Sequence, residues 1–330
     1  MIAADTNRLP GQLRQELAAR NRLYARGQFH VESYGKSPVV VYAPEGKRHG
    51  NFFDPAYASI AARPDWMRRF DKVHAQARSL PKTDRKWREL DSSTSSDALL
   101  MNVFCAPEVS RSPDVRSMLG IDTDDLPVFG WKARVPLANG RVDRTEVDMR
   151  WGSLLVEAKL TETDFQTCKC ALAEGYRDLD TVFERDRLPR GGIAVDRRKR
   201  SVEFPEEYTQ EELRVPPDQW EPYVWEVAPE VVDGYASYQL IRNVLAAYAY
   251  EASFCVIHDE RRPDLREAWF RVMSAVKSAE MRIRLKILTW QELCAVLPQA
   301  LREFLGKKYG IVPPGCKPWP VDSAMSGNEN

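Results

Sequence analysis

The sequence predicts an α/β fold with a mixed sheet and flanking helices, and three stretches carry that expectation. Asn139-Gly140, a strong hairpin signal, lies between "PVFGWKARVPL" and "GRVDRTEVDMRW", two runs of β-branched and aromatic residues. A second tight turn at Gly152-Ser153 returns the chain as "LLVEAKL" and completes a three-strand meander. Downstream, "YASYQLIRNVLAAYAY" (235–250) has helical periodicity, "SFCVIHD" (253–259) reads as a buried strand, "DLREAWFRVMSAVKSAE" (264–280) as a helix and "RIRLKIL" (282–288) as a strand.

The other elements follow in order. Leu13, Leu17 and Leu23 mark a helix over 10–28, and "SPVVVYAP" (37–44) a short strand ended by Pro44. Residues 65–90 read as a basic helix interleaved with Trp66, Phe70 and Trp87. That composition suits phosphate contacts and base stacking, and equally a helix with aromatics inward and arginines outward. "DSSTSSDALLMNVFC" (91–105) offers N-caps and then an apolar helix. Residues 164–187 read as helical. Residues 190–233, with Gly191-Gly192, the basic run at 197–200 and five prolines, read as an irregular insertion. Thr289 and Glu292 make a capping box that opens a last helix over 290–306, and the tail from Pro313 is loose. The expected organisation is a basic, mainly helical region (1–90), a core (91–306) and a tail (307–330).

The chain has 330 residues, 48 Lys/Arg and 48 Asp/Glu, so bulk charge names no partner. Its distribution says more: residues 1–90 hold 17 basic against 9 acidic side chains, and residues 91–180 hold 10 against 16. A basic front and acidic middle suit a protein that grips a polyanion in one region and a metal cation in another, or simply two solvated surfaces of unequal charge. No run is apolar enough to span a bilayer and no leader-like stretch opens the sequence, so a cytoplasmic protein without a membrane partner is expected. The six cysteines read as buried free thiols rather than a disulfide framework or, at Cys168 and Cys170, an iron–sulfur site. The four histidines lack zinc-like spacing, and no phosphate-binding glycine loop is present.

The chemistry concentrates in "EVDMRWGSLLVEAKL" (146–160). With Gly152-Ser153 as a type II′ loop, Trp151 pairs with Leu154, and partner numbers sum to 305. Asp148 then lies opposite Glu157, with Lys159 on the same face and Val156 and Ala158 on the other. Facing carboxylates repel unless a cation lies between them, and Mg²⁺ (or Mn²⁺) suits a carboxylate pair because it keeps several waters. A cross-strand salt-bridge ladder has the same spacing.

Asp148 followed by "EAK" on the next strand of a hairpin resembles the core of the PD-(D/E)xK nuclease superfamily, the restriction-endonuclease-like fold. The similarity extends to a bacterial group of restriction endonucleases through "SSDALLMNVF", "VDMRWGSLLVEAKLTETDF", "YQLIRN" and "TWQEL", roughly residues 90–305. It implies an αβββαβ core and a Mg²⁺-dependent phosphodiesterase acting on DNA, with Asp148 and Glu157 as metal ligands and Lys159 as catalytic lysine. Val147 stands where the superfamily's name has proline. Many members add an acid from the first core helix, where Asp97 is the candidate ligand and Asn102 lies mid-helix. A double-strand cutter of this kind would suit a homodimer.

Gln239, Arg242 and Asn243 form a polar stripe on the 235–250 helix. The resemblance aims that helix at the scissile phosphate, with Gln239 and Arg242 as catalytic candidates, whereas an amphipathic helix has such a stripe in any case. Glu162 and Asp164 suit a helix N-terminus, or orientation of Lys159. The competing reading of the whole is an inert nuclease-like module that binds nucleic acid or a protein partner, and RNA stays open as a substrate.

Overall fold

Two tight turns fold the middle of the chain into a meander, and the rest packs around it. The computed structural model describes residues 8–33, 39–73, 87–195 and 230–317. In chain order the elements are α1 (Arg8–Tyr24), β1 (His30–Glu32), β2 (Val40–Tyr42), β3 (Pro44–Glu45), β4 (Arg48–His49), α2 (Asp54–Ala61), α3 (Pro64–Met67), α4 (Ser96–Phe104), α5 (Pro113–Leu119), β5 (Val128–Pro136), β6 (Val142–Trp151), β7 (Leu154–Ala158), β8 (Thr167–Lys169), α6 (Cys170–Ala173), α7 (Leu179–Val182), β9 (Arg190–Val195), β10 (Glu230–Ala236), α8 (Tyr238–Ala249), β11 (Ser253–His258), α9 (Pro263–Ala275), α10 (Ala279–Ile283), β12 (Leu285–Thr289), α11 (Trp290–Cys294) and α12 (Gln299–Tyr309).

The main sheet has the order β12-β11-β7-β6-β5. It is antiparallel through the meander and parallel from β7 through β11 to β12, a mixed sheet as expected. The β6–β7 register follows the turn: Trp151 pairs with Leu154, Arg150 with Leu155 and Met149 with Val156. Gly152 takes φ +59° and Ser153 does not, the type II′ pattern. A smaller antiparallel sheet, β8-β10-β9, lies beside it.

Apolar side chains cover both faces of the main sheet. Met149, Trp151, Val156 and Ala158 pack in one core with Leu99 and Val103 of α4, and also with Leu17, Trp66 and Phe70. Val147, Leu155 and Phe254 pack in the other with Ile241 and Val244 of α8 and Trp269 of α9. Residues from the basic front thus help to build the sheet's own core. Polar fasteners add to this: Arg14 donates to the Thr161 carbonyl at 2.9 Å and Arg261 to Glu16 at 2.8 Å.

Several expected helices differ. Residues 164–187 form β8 and two one-turn helices instead of one long helix. Glu162 and Asp164 accept from the Leu160 and Gln166 amides, local bonds that compete with helix formation, and Gln166 adopts φ +62°. The helix expected over 65–90 runs only through α3 and a 3₁₀ turn to Asp71. Val73 then bridges to Arg88, and the Lys72 carbonyl accepts from the Glu89 amide at 2.8 Å, so tertiary pairing overrides helical propensity; residues 74–86 lie outside the described residues. Pro298 splits the 290–306 helix into α11 and α12 because it lacks an N–H and restricts the residue before it. The ends of the 190–233 stretch are not irregular but pair as β9 and β10, and the basic run at 197–200 lies outside the described residues.

A Cβ at Gly152 would lie 2.5 Å from Thr123 Cγ2, in a backbone region that side chains avoid. Gly152→Ala is expected to cost about 1–3 kcal/mol in urea unfolding. An unchanged midpoint would show that the turn is not held in this geometry.

Candidate active site

The β6–β7 ladder ends at Met149–Val156, and the carboxylates gather where it ends. Asp148 does not continue the ladder. Its Oδ2 instead accepts from the Ala158 amide at 2.9 Å, filling the gap between the parting strands. β7 stays paired with β11, and the Lys159 amide donates to the Ile257 carbonyl at 2.8 Å. Glu157 and Lys159 are consequently almost fully buried. Lys159 Nζ donates to Glu157 Oε1 at 2.8 Å. Asn243 of α8, fully buried, donates to Glu157 Oε2 at 2.8 Å.

Asp97 enters from the first turn of α4, which is capped by Ser95 accepting from the Ala98 amide. Asp97 Oδ2 accepts from Arg69 Nη2 at 2.8 Å and from Lys72 Nζ at 3.0 Å. Arg69 Nη1 donates to Glu146 Oε1 at 2.7 Å, so the basic front places a guanidinium between the first core helix and β6. Arg69 lies over Gly130, which, like Asp148, falls unpaired between the Phe129–Met149 and Trp131–Val147 pairs of β5 and β6; a Cβ at Gly130 would overlap the guanidinium.

The electrostatics follow from this crowding. Burial, then the Glu157 and Asp97 carboxylates, push the Asp148 carboxyl well above the usual carboxylate range, against the opposing pull of Lys159 and the Ala158 amide. Burial also disfavours the charge of Asp97, but Arg69 and Lys72 outweigh it and hold that group ionised. Burial disfavours the Lys159 ammonium, and Glu157, Glu162 and Asp148 together more than restore it, so it is held more firmly protonated than a free lysine. Glu89, half-buried and near Asp97, is pushed up to about 7, with burial as the main cause. Asp148 has no cationic partner among the described residues.

Asp97, Asp148, Glu157 and Lys159 therefore share one neighbourhood. Gln239 and Arg242 do not join it by any hydrogen bond among the described residues. Arg242 lies over the Tyr238 ring, with Cζ 5.5 Å from its centre, and Arg242 Nε and Gln239 Oε1 are buried without partners. It is Asn243, on the same stripe, that reaches the carboxylates. Asn102 is turned away, bonded to Phe53 and Asn51. Glu162 does not cap a helix; it accepts from Ser96 Oγ and from the Leu160 amide at 2.7 Å. Arg69 and Lys72 had only a general signal, the basic character of "DWMRRFDK". All six cysteines are free, four of them buried and Cys316 exposed.

Among the described residues no three His, Cys, Asp or Glu side chains converge closely enough to make a metal cage, and no helix is long and apolar enough to cross a membrane. A pair of carboxylates is nevertheless a donor set that Mg²⁺ accepts, since it binds through one or two protein carboxylates and keeps water or phosphate elsewhere.

The molecule is thus an α/β protein with a mixed sheet, in which acids and a lysine gather where two central strands part. The chain belongs to the family described as "Restriction Endonuclease associating with ARP", whose model matches residues 13–310. No curated protein and no solved structure matches it.

Because the folded state holds Asp148 protonated to higher pH than the unfolded chain does, this residue costs stability as pH rises above about 4, the unfolded aspartate value. Asp148→Asn should therefore unfold at a higher temperature than the parent near pH 7.5, by about 1–2 kcal/mol of added stability. The gain should shrink as the pH falls towards 4. Calorimetry across that range checks it, and a gain that grew on acidification would reverse the assigned charge state.

Proposed function

We propose that the protein is a metal-dependent endonuclease that hydrolyses phosphodiester bonds in DNA. The observation that carries this reading is Asp148: a carboxyl held among other acids, with no cation of its own, beside Glu157 and Lys159. Membership of a family described as a restriction endonuclease supports it.

Asp148 and Glu157 would hold Mg²⁺ (or Mn²⁺), with Asp97 as a further acid on the same side. When bound, such an ion supplies positive charge to phosphate oxygens and acidifies its water. Lys159, held as an ammonium by three carboxylates, acts as a hydrogen-bond donor and counter-charge to a phosphate oxygen or to the attacking water rather than as a base. Asn243 fixes the Glu157 carboxylate through Oε2 while Lys159 occupies Oε1, which sets the direction of its remaining lone pairs. The description's words "associating with ARP" support a further partner for this chain as well.

Incubation with circular and linear DNA, with and without Mg²⁺, tests the proposal, since opening a circle requires internal cleavage. Asp148→Ala and Glu157→Ala should reduce cutting to background, and Lys159→Ala should lower it about 10²–10³-fold. Mg²⁺ at a hundredfold excess over its Kd should stabilise the parent by about 2.7 kcal/mol and leave Asp148→Ala unchanged. Parental cutting by Asp148→Ala would remove the assigned site. Absence of both cutting and metal stabilisation would favour an inert module that binds nucleic acid or a protein partner.

A further inference from the structure

A cleft of about 970 Å³ opens beside the carboxylates, lined by Arg63, Trp66, Phe129, Trp131, Lys132 and Arg150. Arg69, Gly130 and Glu146 also line it, and Gly130 and Asp148 both fall in the unpaired gap between the Phe129–Met149 and Trp131–Val147 pairs. The cleft and the acid cluster thus meet at the Arg69 guanidinium, which bonds Glu146 on one side and Asp97 on the other.

Of the three lining acids Asp65 is paired with Arg68 and Glu146 with Arg69, while Asp125 at the rim is exposed and has no cation partner among the described residues. Arg63, Lys132 and Arg150 have no carboxylate partner among the described residues. Two of them lie on aromatic rings instead: Arg63 Cζ is 4.8 Å from the Trp66 ring centre and Arg150 Cζ is 4.6 Å from that of Trp131. Both rings are braced: Trp66, buried in the core, forms the floor, edge-on to Phe129 and bonded by Nε1 to the Pro127 carbonyl, while Trp131, half-buried and edge-on to Tyr250 at 4.8 Å, is the ring that reaches the recess. A surface made only to hold duplex backbone needs cations and no recessed rings. Cations over braced rings in a recess match a nucleotide whose base has left the stack, with its phosphate on the arginines.

We infer that this cleft holds an unpaired nucleotide of the DNA substrate next to the bond that is cut. The inference rests on the nuclease reading for the identity of the bond, but the binding it describes can be measured without cleavage.

The test uses the full chain in EDTA with three labelled DNAs: a single strand, a perfect duplex, and a duplex with one unpaired base. By anisotropy, the single strand and the bulged duplex should bind about tenfold or more tighter than the perfect duplex. Trp131→Ala should abolish that preference, with circular dichroism confirming the fold. Lys132→Ala, at an exposed position, should weaken all three DNAs alike and reduce the salt slope by about 0.7–0.9. Equal affinity for paired and unpaired DNA, or a preference that survives Trp131→Ala, would overturn the inference. A parent that shows the preference but never cuts with Mg²⁺ would sink the nuclease reading alone; one that cuts without the preference would sink only the cleft.

Discussion

Too many carboxylates share the end of one β-ladder, and the surrounding structure answers that repulsion. Where β6 and β7 part, Asp148 fills the gap by accepting from the Ala158 amide, and Glu157 and Asp97 lie close enough to oppose its ionisation. Each of the other two acids has a cation. Lys159 comes from two residues along the same strand, whereas Arg69 and Lys72 come from the front of the chain. Removing Lys159 would leave Glu157 a buried charge without an ion partner, which costs several kcal/mol, far more than an exposed ion pair contributes, whereas Asp97 keeps one cation if either Arg69 or Lys72 is lost. The basic front is thus an electrostatic part of the site as well as a share of the sheet's core.

The same constraint explains the arrangement of α8. Ser237, with φ +59°, starts the helix in a left-handed conformation, and the Tyr238 and Gln239 amides bond the carbonyls of Gln166 and Phe165. That docking points Asn243 inward at Glu157. Glu157 then has one oxygen on an ammonium and the other on an amide, so its orientation is decided by two elements that are distant in sequence. A carboxylate held in this way keeps its direction when a neighbour changes charge, which a site dependent on ion placement requires.

What could be read from the sequence was what short range decides. Gly152-Ser153 fixes the β6–β7 register within a few residues, and Thr289 with Glu292 caps α11 as its spacing requires. Readings failed where distant contacts decide. Periodicity alone could not show that Val73 would bridge to Arg88 or that side-chain bonds at Glu162 and Asp164 would replace a helix. The same limit applied to the site. Asp148, Glu157 and Lys159 lie in one hairpin and could be grouped from it. Arg69 meets Glu146 across 77 residues, a pairing that no local pattern encodes. On α8 the stripe was visible, but which of its three polar residues faces Glu157 depended on how the helix docks.

The charge pattern also constrains how a divalent ion could enter. Asp97 is ion-paired twice and Glu157 once, while Asp148 has only an amide, so Asp148 would be the least compensated acid open to a cation once its proton is lost. If Glu157 also held such an ion, it would have to share the Oε1 that now accepts from Lys159, because Asn243 already occupies Oε2. Lys159, with its hold on Glu157 weakened in that way, could donate to a phosphate oxygen instead. Arg69 and Lys72, which share Asp97, are the other cations that a phosphate could draw from a carboxylate. On the proposed reading the protein's own cations would thus be held in reserve on carboxylates until a phosphate competed for them.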